Sequence, residues 1–330
     1  MESLSRPQIA ALPLAEGAPT LSLVVPCFDE AESLQALYAR VADVMRDTDT
    51  SWELVCVNDG SRDATLAVLL ALRRSDPRVV VVDLSRNFGK EAALTAGLAH
   101  ARGEAVIPLD ADLQDPPELI PQMLAKWREG YDVVNATRTG RDGEGLLKRA
   151  SAHAFYRCIN RLSPFEIPPD TGDFRLISRQ ALQALCALPE RRRFMKGLFA
   201  WVGFRTTSIE YRRPPRFAGH TKWNYLRLWN LALEGITSFT IVPLQLASYL
   251  GFAISLFAFA YAAWVMMHTL IFGNSVKGYS SLMVTLLFLG GVQLLALGII
   301  GEYLGRLYEE SKQRPVYLVR RVWSGDSTDS

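Results

Sequence analysis

Two stretches near the end of the chain carry no formal charge. No Asp, Glu, Lys or Arg lies between Glu234 and Lys277, and none between Lys277 and Glu302. A helix of ~20 apolar residues crosses the hydrocarbon core of a bilayer, and each stretch is long enough to supply one. Buried core helices of a soluble protein are the alternative, but they suit shorter runs. The pattern therefore predicts two membrane-spanning helices, near 243–272 and 279–304. Arg212, Arg213, Arg216, Lys222 and Arg227 precede the first span, and Arg306, Lys312, Arg314, Arg320 and Arg321 follow the second. The connecting loop around Gly273–Gly278 holds only Lys277. Positive charge collects on the cytoplasmic side. Both termini are expected there, with the chain in the inner (cytoplasmic) membrane.

The remainder reads as a water-soluble domain. Charged residues occur throughout it, and the whole chain balances at +2, which gives no reason to expect a nucleic-acid partner. Residues 1–20 lack the basic start and apolar core of a signal peptide and are expected to be a disordered tail. Cys27, Cys56, Cys158 and Cys186 form no CxxC pair, which suits a reducing cytosol and argues against a zinc site.

From Leu21 onward, short runs rich in β-branched residues alternate with helical patterns. "LSLVVPCF", "WELVCVND", "VVVVDLS", "AVIPLDA" and "DVVNATR" are apolar nearly throughout, as strands covered on both faces require. Alternating strands and helices imply a mainly parallel α/β sheet with right-handed crossovers. Such sheets gather ligands beyond the carboxyl ends of their strands. The polar clusters fall there: Asp29-Glu30, Asn58-Asp59-Gly60-Ser61, Ser85-Arg86-Asn87 and Asp110-Ala111-Asp112. No GxGxxG follows the first strand, which counts against a dinucleotide-binding enzyme.

Asp110 and Asp112 stand two apart at a strand exit, a spacing that puts side chains on one side. A hard divalent cation takes one or two such carboxylates and completes its shell with substrate phosphates. A solvated acidic turn is the plain alternative, and Asp115 in "DPPE" reads as a helix N-cap before helix-starting prolines.

"VVPCFDEAESL", "CVNDGSRDAT", "DADLQDPP" and "TGDFRL" together resemble the family 2 glycosyltransferases of the GT-A, Rossmann-like fold. The likeness runs from Leu21 to about Val319 and is closest to the polyisoprenyl-phosphate glycosyltransferases, a group that includes dolichol-phosphate mannosyltransferases and bactoprenol glucosyltransferases. "SRNFGKEAALTAG", "RFMKGLFAWVGF" and "GEYLGRLYEESKQRP" favour the GtrB-like branch. Asp29 stands where many members have Asn, which exchanges an amide for a carboxylate. The domain plan expected is a catalytic domain over 21–212, interfacial helices over 213–240, the two spans within 241–306 and a basic cytoplasmic tail over 307–330.

The resemblance implies roles residue by residue. Pro26, Phe28 and Glu30 shape a nucleoside pocket, Asp59 accepts a hydrogen bond from the base, Glu30 takes ribose hydroxyls, and Ser61 and Lys90 lie near the nucleotide. Asp110 and Asp112, with Gln114 close by, hold Mg2+ or Mn2+ against the diphosphate. Asp173 is the orienting carboxylate or base, with Asp170 as runner-up. Arg138, Lys148, Arg149 and Arg175 are candidates to receive the acceptor phosphate, Arg138 foremost.

"RRRFMKGLFAWVGF" mixes cations with Phe, Leu and Trp, as an element in the headgroup region does. In "HTKWNYLRLWNLALEGITSF", Trp223, Leu226 and Trp229 fit an apolar face while Lys222 and Arg227 can reach phosphates. Gly301 and Gly305 match a small-residue packing motif with Gly298 beside it, and Glu302 and Arg306 are spaced for a helical ion pair.

The expected activity is an inverting transfer of a sugar, glucose from UDP-glucose by default, to undecaprenyl phosphate at the cytoplasmic membrane face, as a step in cell-envelope glycan modification. A processive polysaccharide synthase is the alternative, but no QxxRW motif occurs. A non-catalytic membrane scaffold is another, against which clustered carboxylates argue. The sequence leaves the sugar and the oligomeric state open, a homo-oligomer included.

Overall fold

A computed structural model describes residues 17–138, 171–188, 190, 195–211, 242–272 and 278–324 of the 330. Most of the expected N-terminal tail, the segment 213–240, Lys148, Arg149, Cys158 and Asp170 lie outside the described residues. The chain divides into two units.

The first unit is built on an eight-stranded sheet. Its centre follows the expected alternation: β1 (Leu21–Cys27), α1 (Leu34–Arg46), β2 (Trp52–Asn58), α2 (Thr65–Ser75), β3 (Val79–Leu84), α3 (Lys90–His100) and β4 (Ala105–Pro108). A single 3-10 turn (Pro117–Leu119) leads into α4 (Ile120–Arg128) and β5 (Val133–Arg138). Then come β6 (Thr171–Ser178), α5 (Arg179–Cys186), α6 (Met195–Trp201), β7 (Thr206–Tyr211) and, near the chain's end, β8 (Val319–Trp323). The spatial order is β7-β5-β6-β4-β1-β2-β3-β8.

Strands β4, β1, β2 and β3 run parallel, and every residue of β2 and β3 is buried, as a sheet covered on both faces requires. Two strands run against them: β6, between β4 and β5, and β8, on the β3 edge. The sheet is thus mainly parallel with two antiparallel insertions. β8 falls within the stretch read from sequence as a basic tail.

The second unit holds α7 (Val242–Phe272) and α8 (Tyr279–Ser311), which pack on each other. Both are long and apolar enough to cross a membrane. Their large side chains face outward, Leu270 being 83% exposed and Phe259 75%, a surface suited to lipid rather than water. Arg306 pairs with Glu302 at 2.9 Å, as their spacing predicts. The expected close packing at Gly298, Gly301 and Gly305 is not found among the described residues: a Cβ at any of them would meet nothing within 4 Å.

Candidate active site

The carboxyl ends of β1, β2 and β3 each open into a polar loop, and the three loops are stitched together. Asp29 takes the left-handed backbone conformation (φ 54°), which a short polar side chain tolerates. Its amide donates to Ser61 Oγ at 3.1 Å, and its Oδ1 accepts from the Arg62 amide at 2.7 Å. Glu30 donates its amide to Thr65 Oγ1 at 2.9 Å, while its carboxylate accepts from the Ser33 hydroxyl at 3.0 Å. Pro26 and Phe28 are half-buried beside this seam.

Asp59 is 2% exposed, and its two oxygens accept from the amides of Phe88 and Gly89 at 2.7 and 2.9 Å. Burial pushes its pKa up, against the pull of those amides. The carboxylate expected to meet a base therefore fastens the loop after β3. Gly60 makes the clamp tight: its φ is +65°, and a Cβ would lie 2.6 Å from the Arg86 and Asn87 backbone. Only glycine fits there.

The clamped loop delivers Lys90, the first residue of α3. Its ammonium bridges Asp110 Oδ1 at 2.7 Å and Asp173 Oδ2 at 2.9 Å. Burial pulls the ammonium's pKa down, but the two carboxylates outweigh it and the pKa ends raised. So one cation joins the β4 exit to β6, across 83 residues of sequence between Lys90 and Asp173. Asp173 sits where the β5–β6 register breaks, between the pairs Asn135↔Arg175 and Thr137↔Thr171. Such irregularities re-aim a side chain out of the ladder.

At the β4 exit, Asp112 Oδ1 accepts from the Gln114 amide at 3.1 Å, and Leu113 turns the chain with φ 60°. That turn sends Asp115 inward. The side chain expected to cap a helix instead accepts from the Asp110 amide at 3.2 Å, and no side chain caps the 3-10 turn. Asp115 is 3% exposed, and among the described residues its Oδ1 has no hydrogen-bond partner. Burial, and then Asp110, push its carboxyl up to about 7.

Arg138, the last residue of β5, donates from Nε to the Tyr211 hydroxyl at 3.2 Å; Tyr211 is its register partner on β7. Burial opposes its charge, but Tyr211, Asp115 and Asp110 raise its pKa. Arg175 differs from its expected place on an approach surface. It is 4% exposed, lies 4.1 Å over the Phe199 ring and donates to the Gly172 carbonyl at 2.6 Å. Burial brings its pKa down to about 10. This interior guanidinium supports the backbone beside Asp173.

Lys90, Asp110, Asp115, Arg138 and Asp173 therefore converge, while Glu30, Asp59 and Ser61 stand on the β1–β2 side. No group of three His, Cys, Asp or Glu poised for a metal occurs among the described residues. The donor set still fits a Mg2+ or Mn2+ ion. Asp110 and Asp112 offer partly exposed hard oxygens, and such ions commonly take one or two carboxylates with phosphates and water. Asp115, whose Oδ1 has no hydrogen-bond partner among the described residues, accepts from the Asp110 amide beside them.

The profile of glycosyl transferase family 2 matches residues 22–186, half of the chain, and that of the GtrB C-terminal hairpin matches 242–307. The chain belongs to glycosyl transferase family 2. This glycosyltransferase is 55% identical over 303 residues to an uncharacterised glycosyltransferase of Synechocystis, covering 92% of this chain and 95% of that one. It is 49% identical to a prophage bactoprenol glucosyl transferase homolog of Escherichia coli K12, covering 92% and 99%. It is 50% identical to the bactoprenol glucosyl transferase of Shigella phage SfV, covering 91% and 98%. The fold around the site is accordingly the GT-A type.

Proposed function

We propose that this glycosyltransferase moves glucose from UDP-glucose to undecaprenyl phosphate at the cytoplasmic face of the inner membrane. The observation that carries the reading is the Lys90 bridge between Asp110 and Asp173, which brings the carboxylate turn and the β6 carboxylate to one point at the strand ends. The names of relatives about half identical over nine-tenths of the chain support the acceptor and the sugar.

Asp110 and Asp112 would hold a divalent ion, which would neutralise charge growing on the departing diphosphate. An acceptor phosphate oxygen forms a bond to the anomeric carbon as the bond to the diphosphate breaks, so the configuration inverts and UDP leaves. A phosphate monoester has its second pKa near ~6, so at neutral pH the acceptor needs placement more than a base. Arg138 supplies a forked donor for it. Asp173, steered by Lys90, orients the reacting groups. The stitched β1–β2–β3 loops receive the nucleoside.

The orientation rests on charge and connectivity. β8 shares a sheet with β1–β5 yet follows both long helices in sequence, which favours an even number of crossings between them. The arginines flanking the helices favour the cytoplasm for that sheet. Purified protein given labelled UDP-glucose, undecaprenyl phosphate and Mg2+ will place label in an organic-soluble product, and EDTA will stop the transfer. No lipid-linked label from any nucleotide sugar in a panel would refute the reading.

A further inference from the structure

The strand that follows the membrane hairpin reaches back into the proposed donor side. β8 pairs antiparallel with β3 as Val81↔Trp323, Val82↔Val322 and Asp83↔Arg321, and the register then jumps to Leu84↔Val319. Arg320 is the residue left over. A bulge of this kind frees a side chain from the ladder and aims it elsewhere. Here Arg320 Nη1 meets Asp83 Oδ2 at 3.2 Å, and Nη2 donates to the Ser85 carbonyl at 2.7 Å. The Ser85 amide in turn donates to the Leu318 carbonyl at 2.9 Å.

Asp83 carries the contact inward. Its side chain is 2% exposed, and its other oxygen accepts from Asn58 Nδ2 at 2.7 Å. Asn58 Oδ1 accepts from the Ser61 amide at 3.2 Å, and Ser61 Oγ accepts from the Asp29 amide at 3.1 Å. One hydrogen-bonded path therefore runs from Arg320 through the ends of β3, β2 and β1. The loop Ser85–Gly89 is gripped twice, by Arg320 and Leu318 at its start and by Asp59 at its end. Its next residue is Lys90.

We infer that Arg320 is a positioning residue for the nucleotide donor, setting the three loops that receive the nucleoside from a strand encoded beyond the membrane hairpin. The inference rests on the donor site proposed above. A forked guanidinium suits the task because it serves a carboxylate and a carbonyl at once; an ammonium is a point charge with a different reach.

The test uses full-length protein in detergent, with UDP plus Mg2+ as the binding probe in calorimetry and UDP-glucose in kinetics. Arg320→Ala will raise the UDP Kd and the donor KM together, by roughly threefold to tenfold, the range of one net hydrogen bond. The acceptor KM will stay unchanged, and any fall in kcat will be smaller than the rise in donor KM. Arg320→Lys will recover part of the affinity. Arg321→Ala, whose side chain lies over the Trp323 ring, is the control for strand stability and will bind UDP as wild type does. Wild-type UDP affinity in Arg320→Ala, or an equal loss in Arg321→Ala, overturns the inference and leaves the donor site standing. If wild-type protein binds no UDP, the donor site itself is wrong and the inference falls with it.

Discussion

Replacing Asp115 by Asn will change how stability depends on pH. The Asp115 carboxyl is 3% exposed and beside Asp110, and its pKa is pushed from 3.8 up to about 7. Below about pH 4 the folded and unfolded chains both hold the proton. Between pH 4 and 7 only the folded chain holds it, so stability falls as pH rises; above about pH 7 the full loss is present. The rise is about three pH units, which at 1.36 kcal/mol each is ~4 kcal/mol. Asparagine keeps an oxygen for the Asp110 amide but never ionises. Its extra amide donor adds an offset of ~1–3 kcal/mol that is the same at every pH. The readout is therefore the change in the gap between the two proteins. Melting temperatures of wild type and Asp115→Asn, measured in detergent and EDTA from pH 4 to 8, follow it, because titrations remote from Asp115 are common to both. At ~2–4 °C per kcal/mol, the variant gains on the order of 10 °C on wild type across that range. A gap constant with pH refutes the argument that Asp115 is buried as an acid.

Lys90→Met removes the ammonium between Asp110 and Asp173 and leaves two carboxylates without it, so turnover will fall about tenfold to a hundredfold, the scale of a charged hydrogen bond. Circular dichroism matching wild type with unreduced turnover would refute the bridge's role. Arg138→Ala will raise the undecaprenyl phosphate requirement, or lower turnover, by about the same factor while UDP affinity holds. Lost UDP binding with unchanged acceptor KM would place Arg138 on the donor side instead.

The central fold was legible because its signals are local. β1 through β5 are short buried runs between helices, and each declares itself within ten or so residues of sequence. β8 could not be read this way. "VRRVW" has no apolar alternation, and its strand identity comes from β3, far away in sequence. Asp115 failed for a different reason. "DPPE" carries real capping chemistry, but the left-handed turn at Leu113 decides where the side chain goes, and no composition announces that. Asp110 and Asp173 were both singled out from motifs, yet nothing in either motif shows that one lysine would hold both. Tyr211 as the partner of Arg138 left no local trace, since it follows from the parallel register of β5 and β7.

The late strand also orders events in time. Arg320 and Asp83 are 237 residues apart, so the β3 edge waits for almost the whole chain to be synthesised. At a translation rate of ~5–20 residues per second, that interval lasts roughly 12 to 50 s. Throughout it β3 presents a row of unpaired backbone groups, the kind of edge that recruits foreign strands. Both apolar helices are made within the same interval, since they precede β8. The sheet can be closed only by a chain that has already emitted its apolar hairpin, so completion of the sheet reports that both long helices have been made.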